Sequence, residues 1–286
     1  MGPRDGLQQE STPITTQEKV ELIEALVGAG LKRIQVTSFV HPKLVPQMAD
    51  AESVCNQLMG HPDVIYSGLA LNLRGVERAK NAGLTHIDIS VSASDAHSRR
   101  NANRSVSDAL AEFKEMFSFA RTSGMSIRGG IQCVFGYLGP SDVDLETVTE
   151  VARHHLELGV DELALADSAG FANPETMEQM LKTILPMADG TPVVLHLHDT
   201  RGMGLANVSA ALRQGIRHFD TAFGGLGGCP FIDGAAGNIA TEDTVYMLEQ
   251  MGINTGINLD RLSAISRDFE LRLNKQLPGK LYSLAV

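Results

Sequence analysis

The chain has 286 residues, 43% of them hydrophobic and 20% charged, enough for a large buried core in one α/β domain or two smaller ones. A net charge of −10 excludes nucleic acid and anionic membranes as main partners. Cys55, Cys133 and Cys229 are too few and scattered for a disulfide framework, and no membrane span or signal-like segment is seen, so a soluble, cytoplasmic protein is expected.

The chain opens on Gly2-Pro3-Arg4-Asp5-Gly6, a loop-like stretch that sets one cation beside one carboxylate. Asp5 suits a hard divalent cation and Arg4 a neighbouring oxyanion; the same residues also read as a turn with a solvated charge pair. Short β-rich runs then alternate with amphipathic segments. Strands are expected over 33–37, 65–71, 86–92, 127–135, 162–167, 193–198 and 218–222. Helices are expected over 16–29, 107–122, 144–158, 174–185 and 205–214, among others. In the first of these, Val20, Ile23, Leu26 and Val27 recur at helical spacing. Gly30, Gly83, Gly124, Gly159 and Gly215 each follow a helical stretch and precede a strand, where a left-handed C-cap belongs. A last helix over 259–274 forms a C-terminal extension, 258–286.

Such alternation predicts parallel strands with crossover helices. Polar residues collect after nearly every strand, which favours a single (β/α)8 TIM-barrel domain over 1–286 rather than a doubly wound sheet with one crevice. Eight helices are counted against seven strands, and nothing strand-like precedes Gly2. The first strand is therefore expected to be missing or truncated at the N-terminus.

Four places carry chemistry. In His196-Leu197-His198 both imidazoles share one strand face, about 7 Å apart along the chain. With a distant carboxylate they make an open divalent-metal site, or else they are hydrogen-bonded histidines. Asp167, closing another strand, is either a partner in the site or a cap. Gly224-Gly225-Leu226-Gly227-Gly228-Cys229-Pro230 is a closely approaching loop; Cys229 at its tip is either a general acid or base or incidental to a phosphate-cradling turn. Asn238 either caps the next helix or completes a metal shell. Glu242 and Asp243 in that helix's first turn satisfy its dipole and need no functional explanation. Arg99, Arg100 and Arg104 are either a solvated charge run or contacts for phosphates.

Together GPRDGLQ (2–8), TSFV (37–40), PQM (46–48), HLHDT (196–200), LAN (205–207), GGLGGCP (224–230) and GAAGNIATED (234–243) resemble the 3-hydroxy-3-methylglutaryl-CoA lyase family, within the metal-dependent lyase and Claisen-condensing barrel superfamily. The resemblance spans nearly the whole chain in the family's order. It implies an acyl-CoA thioester as substrate, a homodimer, and Asp5, His196, His198 and Asn238 as a shell for Mg²⁺ or Mn²⁺. It further implies that Arg4 holds the thioester oxygen and the enolate it becomes, that Cys229 transfers a proton and that Asp167 is a polar site residue. The implied reaction is retro-Claisen cleavage to acetyl-CoA and a keto product; a condensing synthase or a metal-dependent aldolase is the alternative.

The chain also departs from the family pattern. Gln35 stands where Glu is usual, Gly130 follows Arg128-Gly129 where Tyr is usual, and Ala164 stands where Ser is usual. The loop over 135–140 differs from the family's Cys-Pro form. A metal shell that matches beside a substrate wall that does not points to a related 3-hydroxyacyl-CoA, such as citramalyl-CoA or a longer branched homologue.

Overall fold

The strand segments pair side by side in chain order. The computed structural model describes residues 1–140, 142–228 and 237–284. In it β1 (Arg33–Ser38), β2 (Ile65–Ala70), β3 (His86–Ser92), β4 (Ser126–Gln132), β5 (Glu162–Asp167), β6 (Val193–Leu197) and β7 (His218–Asp220) form one parallel sheet in that order. Residues from all seven strands line a single cavity, so the sheet curls around it. Among the described residues β1 pairs only with β2 and β7 only with β6, so the sheet has the seven strands expected from sequence.

Alternation within strands explains the two faces. In β3, Ile87, Ile89 and Val91 turn outward and are buried under helices, while Asp88 and Ser90 line the cavity. Ile127 and Ile131 of β4 and Leu163 and Leu165 of β5 repeat the buried pattern. Ten α-helices are present among the described residues: α1 (Thr16–Gly28), α2 (Ala51–Gln57), α3 (Leu73–Asn81), α4 (Asp95–Ala102), α5 (Val106–Thr122), α6 (Leu145–Glu157), α7 (Pro174–Ala188), α8 (Gly204–Arg213), α9 (Thr241–Gln250) and α10 (Leu259–Leu273). Phe113 and Met116 of α5 are fully buried, each stabilising the fold by about 1.5–3 kcal/mol.

All five helix-closing glycines have positive φ, between 72° and 102°. At Gly30 a side chain would also collide with the Gly256 carbonyl, so that position demands glycine twice over. The capping boxes of Thr15 with Glu18 and of Ser105 with Asp108 fix the starts of α1 and α5.

Several boundaries differ from expectation. β4 stops at Gln132 rather than 135, because Cys133 takes φ 59°, which no extended strand tolerates. β6 ends at Leu197, leaving His198 in an isolated bridge with Asn238. α7 runs on to Ala188 with Pro186 inside it. The opening pentapeptide, expected as a loop, is a π-helical turn over Gly2–Gly6. The C-terminal helix packs through Phe269 against Phe223, ring centroids 5.1 Å apart, which seats the glycine-rich loop.

Candidate active site

The N-terminal turn presents Arg4 and Asp5 to the top of the cavity. The Met1 ammonium donates to the Thr221 carbonyl at 2.9 Å, and Gly2 lies so close to Phe223 that a side chain there would strike its ring. Arg4 donates from its guanidinium to the Asp5 carboxylate at 2.6 Å and, through Nε, to the Gln35 amide oxygen. Gln35 is neutral, so it orients Arg4 without cancelling its charge.

β6 and the segment after it bring the two histidines together. His196 Nε2 and His198 Nε2 lie 3.1 Å apart, and Asp5 Oδ2 lies 3.9 and 3.8 Å from them. The two imidazoles therefore face one point despite the strand's early end. Asn238, almost fully buried, donates through Nδ2 to Asp5 at 2.6 Å and to the Leu226 carbonyl at 3.0 Å. Its Oδ1 has no hydrogen-bond partner among the described residues. It does not cap α9, whose N-cap is Ala240.

Asp220 is a residue the sequence reading missed. Its carboxylate accepts from His196 Nδ1 at 3.2 Å and takes both ends of the buried Arg128 guanidinium, one at 3.0 Å. Accepting from Nδ1 leaves His196 Nε2 as the lone-pair nitrogen facing the shared point. A signal was present: Asp220 closes a short strand one register step from His196, on the same inward face.

Electrostatics sharpen the picture. Burial by itself raises Asp5, but the Arg4 charge, followed by a His198 hydrogen bond, outweighs it and holds the carboxyl well below its usual range. Burial pushes His196 down, so its imidazole is kept neutral. Asp5, His196 and His198 each offer one ligand atom, all within 4.8 Å of one another. Two nitrogen lone pairs brought to 3.1 Å with an ionised carboxylate beside them are a donor set that fits a divalent cation.

The other expected residues fall as follows. Asp167, last residue of β5 and level with Leu197, has a carboxylate that accepts from the backbone N–H groups of Phe171 and Ala172 at 2.9 and 3.0 Å, and it does not line the cavity. Cys229 lies outside the described residues. Arg100 and Arg104 line the cavity mouth, whereas Arg99 pairs with Asp95 at 2.7 Å on the outside of α4. Glu242 is more than a dipole partner: fully buried, it accepts from the Gly224 N–H at 2.9 Å and from Ser266, and so clamps the glycine-rich loop. Asp243 likewise holds the Leu281 N–H at 2.7 Å. The cavity has a volume of about 780 Å³ and continues from these groups down the inner wall.

Comparison with known proteins supplies the family. The HMGL-like family model matches residues 1–269. The chain belongs to this family. This HMGL-like chain is 41% identical to hydroxymethylglutaryl-CoA lyase YngG of Bacillus subtilis over 280 residues, covering 98% of the chain and 94% of that relative. It is 39% identical over 281 residues to the mitochondrial hydroxymethylglutaryl-CoA lyase of Bos taurus, covering 98% of the chain and 86% of that relative. Among solved structures, an HMG-CoA lyase from Acinetobacter baumannii in complex with coenzyme A and 3-methylmalate superposes with a TM-score of 0.94 at 39% identity, covering 98% of this chain and 92% of that one.

Proposed function

We propose that this HMGL-like chain is a divalent-metal-dependent carbon–carbon lyase that cleaves 3-hydroxy-3-methylglutaryl-CoA or a related 3-hydroxyacyl-CoA to acetyl-CoA and a keto product. The observation that carries the reading is the convergence of Asp5, His196 and His198 on one point, with Arg4 beside it. Family membership and the coenzyme A complex of a relative support the substrate class.

Asp5, His196, His198 and Asn238 would hold Mg²⁺ or Mn²⁺. A cation held there supplies Lewis acidity toward the substrate's oxygen atoms. In the cleavage the C3 hydroxyl gives up its proton to the Asp5 carboxylate or to a water at the site, the C2–C3 bond breaks, and its electron pair passes into the thioester as an enolate while C3 becomes a ketone. A proton returned to the enolate carbon gives acetyl-CoA. Arg4, aimed by Gln35, stabilises the negative charge where the enolate oxygen develops. Asp220 keeps His196 in the tautomer that turns Nε2 to the site. Asp5 pairs with Arg4 at 2.6 Å and so also orients it. Cys229 is proposed to return the proton, Arg100 and Arg104 to meet the phosphates of coenzyme A, and the working form is proposed to be a cytoplasmic homodimer in which seven strands form most of a TIM barrel.

The test is acetyl-CoA release from 3-hydroxy-3-methylglutaryl-CoA and citramalyl-CoA with Mg²⁺ or Mn²⁺. Release from either supports the lyase. Condensation of acetyl-CoA without cleavage would replace it with a synthase.

A further inference from the structure

Beneath the metal-binding groups the inner wall loses its side chains over three neighbouring strands. Ser90 of β3 is in register with Gly130 of β4, and Gly130 with Ala164 of β5. All three line the cavity that also holds Asp5, His196 and His198. Parallel strands lie about 4.8 Å apart, so the bare patch is about 10 Å wide. It sits in the middle of the sheet, away from the β1 and β7 edges.

Gly130 is bound to this arrangement by geometry. A Cβ there would meet Ser90 Oγ at 2.7 Å and Ser90 Cβ at 3.0 Å, so any larger residue would displace the serine and fill the recess. The wall is small but not apolar. Ser90, a residue 8% exposed, and the half-buried Gln132 one step above it both line the cavity and offer it a hydroxyl and an amide. On the floor, Asp88 is held only loosely, by the Ser67 hydroxyl at 3.4 Å and the Arg128 guanidinium at 3.7 Å. A ligand entering the recess therefore meets groups that can both donate and accept hydrogen bonds.

We propose that this recess receives the C3 branch of the acyl group, and that the preferred substrate carries there a chain longer than methyl ending in a neutral hydrogen-bonding group. The proposal rests on the lyase reading above and names the substrate class of that same site. Neutrality follows from the lining: Ser90 and Gln132 each donate and accept, while the floor carboxylates of Asp88 and Asp220 oppose an anionic terminus and Arg128 is already taken up by Asp220.

The experiment compares kcat/KM for acetyl-CoA release from three 3-hydroxyglutaryl-CoA thioesters bearing methyl, n-propyl or 3-hydroxypropyl at C3, with Mn²⁺ supplied. The unaltered protein is expected to favour 3-hydroxypropyl over methyl by about tenfold or more. Ala164→Val, which narrows the recess, is expected to lower that ratio by about tenfold, and Ser90→Ala to reduce the preference for 3-hydroxypropyl over n-propyl. Should either variant fail to fold, the series on the unaltered protein decides alone. Equal or better cleavage of the methyl compound overturns the recess assignment and leaves the lyase standing. No release from any of the three overturns the lyase reading, and the assignment with it.

Discussion

Two layers of the same cavity are built on opposite plans. At the top, Arg4, Asp5 and Asn238 are tied by charge-assisted hydrogen bonds, and His196 is held from below by Asp220, itself paired with Arg128. One strand-step above that pair, Ser90, Gly130 and Ala164 offer almost no side-chain volume to the cavity. The first layer fixes positions to a fraction of an ångström, as charge stabilisation in a transition state requires. The second fixes only a space. On the proposals above, chemistry and substrate choice are written in different residues, and each is open to change without the other.

That separation yields graded predictions. The largest effect is expected at the top: Arg4→Met removes the cation placed to meet the developing enolate and should lower kcat by about 10²–10³-fold, read in steady-state acetyl-CoA release. A loss confined to KM would move Arg4 from stabilising charge to merely binding substrate. Asp220→Asn keeps the shape but weakens the hold on His196, with an expected drop of about 10–100-fold in Mn²⁺ affinity by isothermal titration. Unchanged affinity would place Asp220 in the fold alone.

The smallest effect concerns stability. Burial raises Glu242 from an ordinary 4.5 to about 7. The folded chain therefore favours the protonated form. The associated stability is full below about 4.5 and is lost as the pH rises through 7. Between pH 5 and 8 the melting temperature should fall, and Glu242→Gln should flatten that fall by about 2–4 °C. Parallel melting curves for the two proteins would break the link.

How much of this was legible beforehand varies along the chain. The alternation of β3 and the glycines at 30, 83, 124, 159 and 215 marked strands and helix ends because both are local, steric signals. The histidine pair was legible because two residues apart on a strand share a face. The partners of that pair were not. Asp220 lies 24 residues from His196 and joins it only through strand pairing. Glu242 reads in sequence as an ordinary first-turn acid, and only the approach of Gly224 and Ser266 makes it a clamp. Asn238 had two readings; the α9 N-cap falls to Ala240, which removes one, and its bond to Asp5, 233 residues away, was not visible in sequence. Gly130 could be flagged as a missing ring, but the recess needed its register neighbours Ser90 and Ala164 to be known.

The central claim is that Asp5, His196 and His198 hold a metal ion that acyl-CoA cleavage depends on. One titration tests it: acetyl-CoA release from 3-hydroxy-3-methylglutaryl-CoA, followed through exhaustive chelation and then stepwise return of Mn²⁺. The account predicts loss of release on chelation and recovery that saturates at one ion per chain. Release that survives chelation unchanged would contradict it.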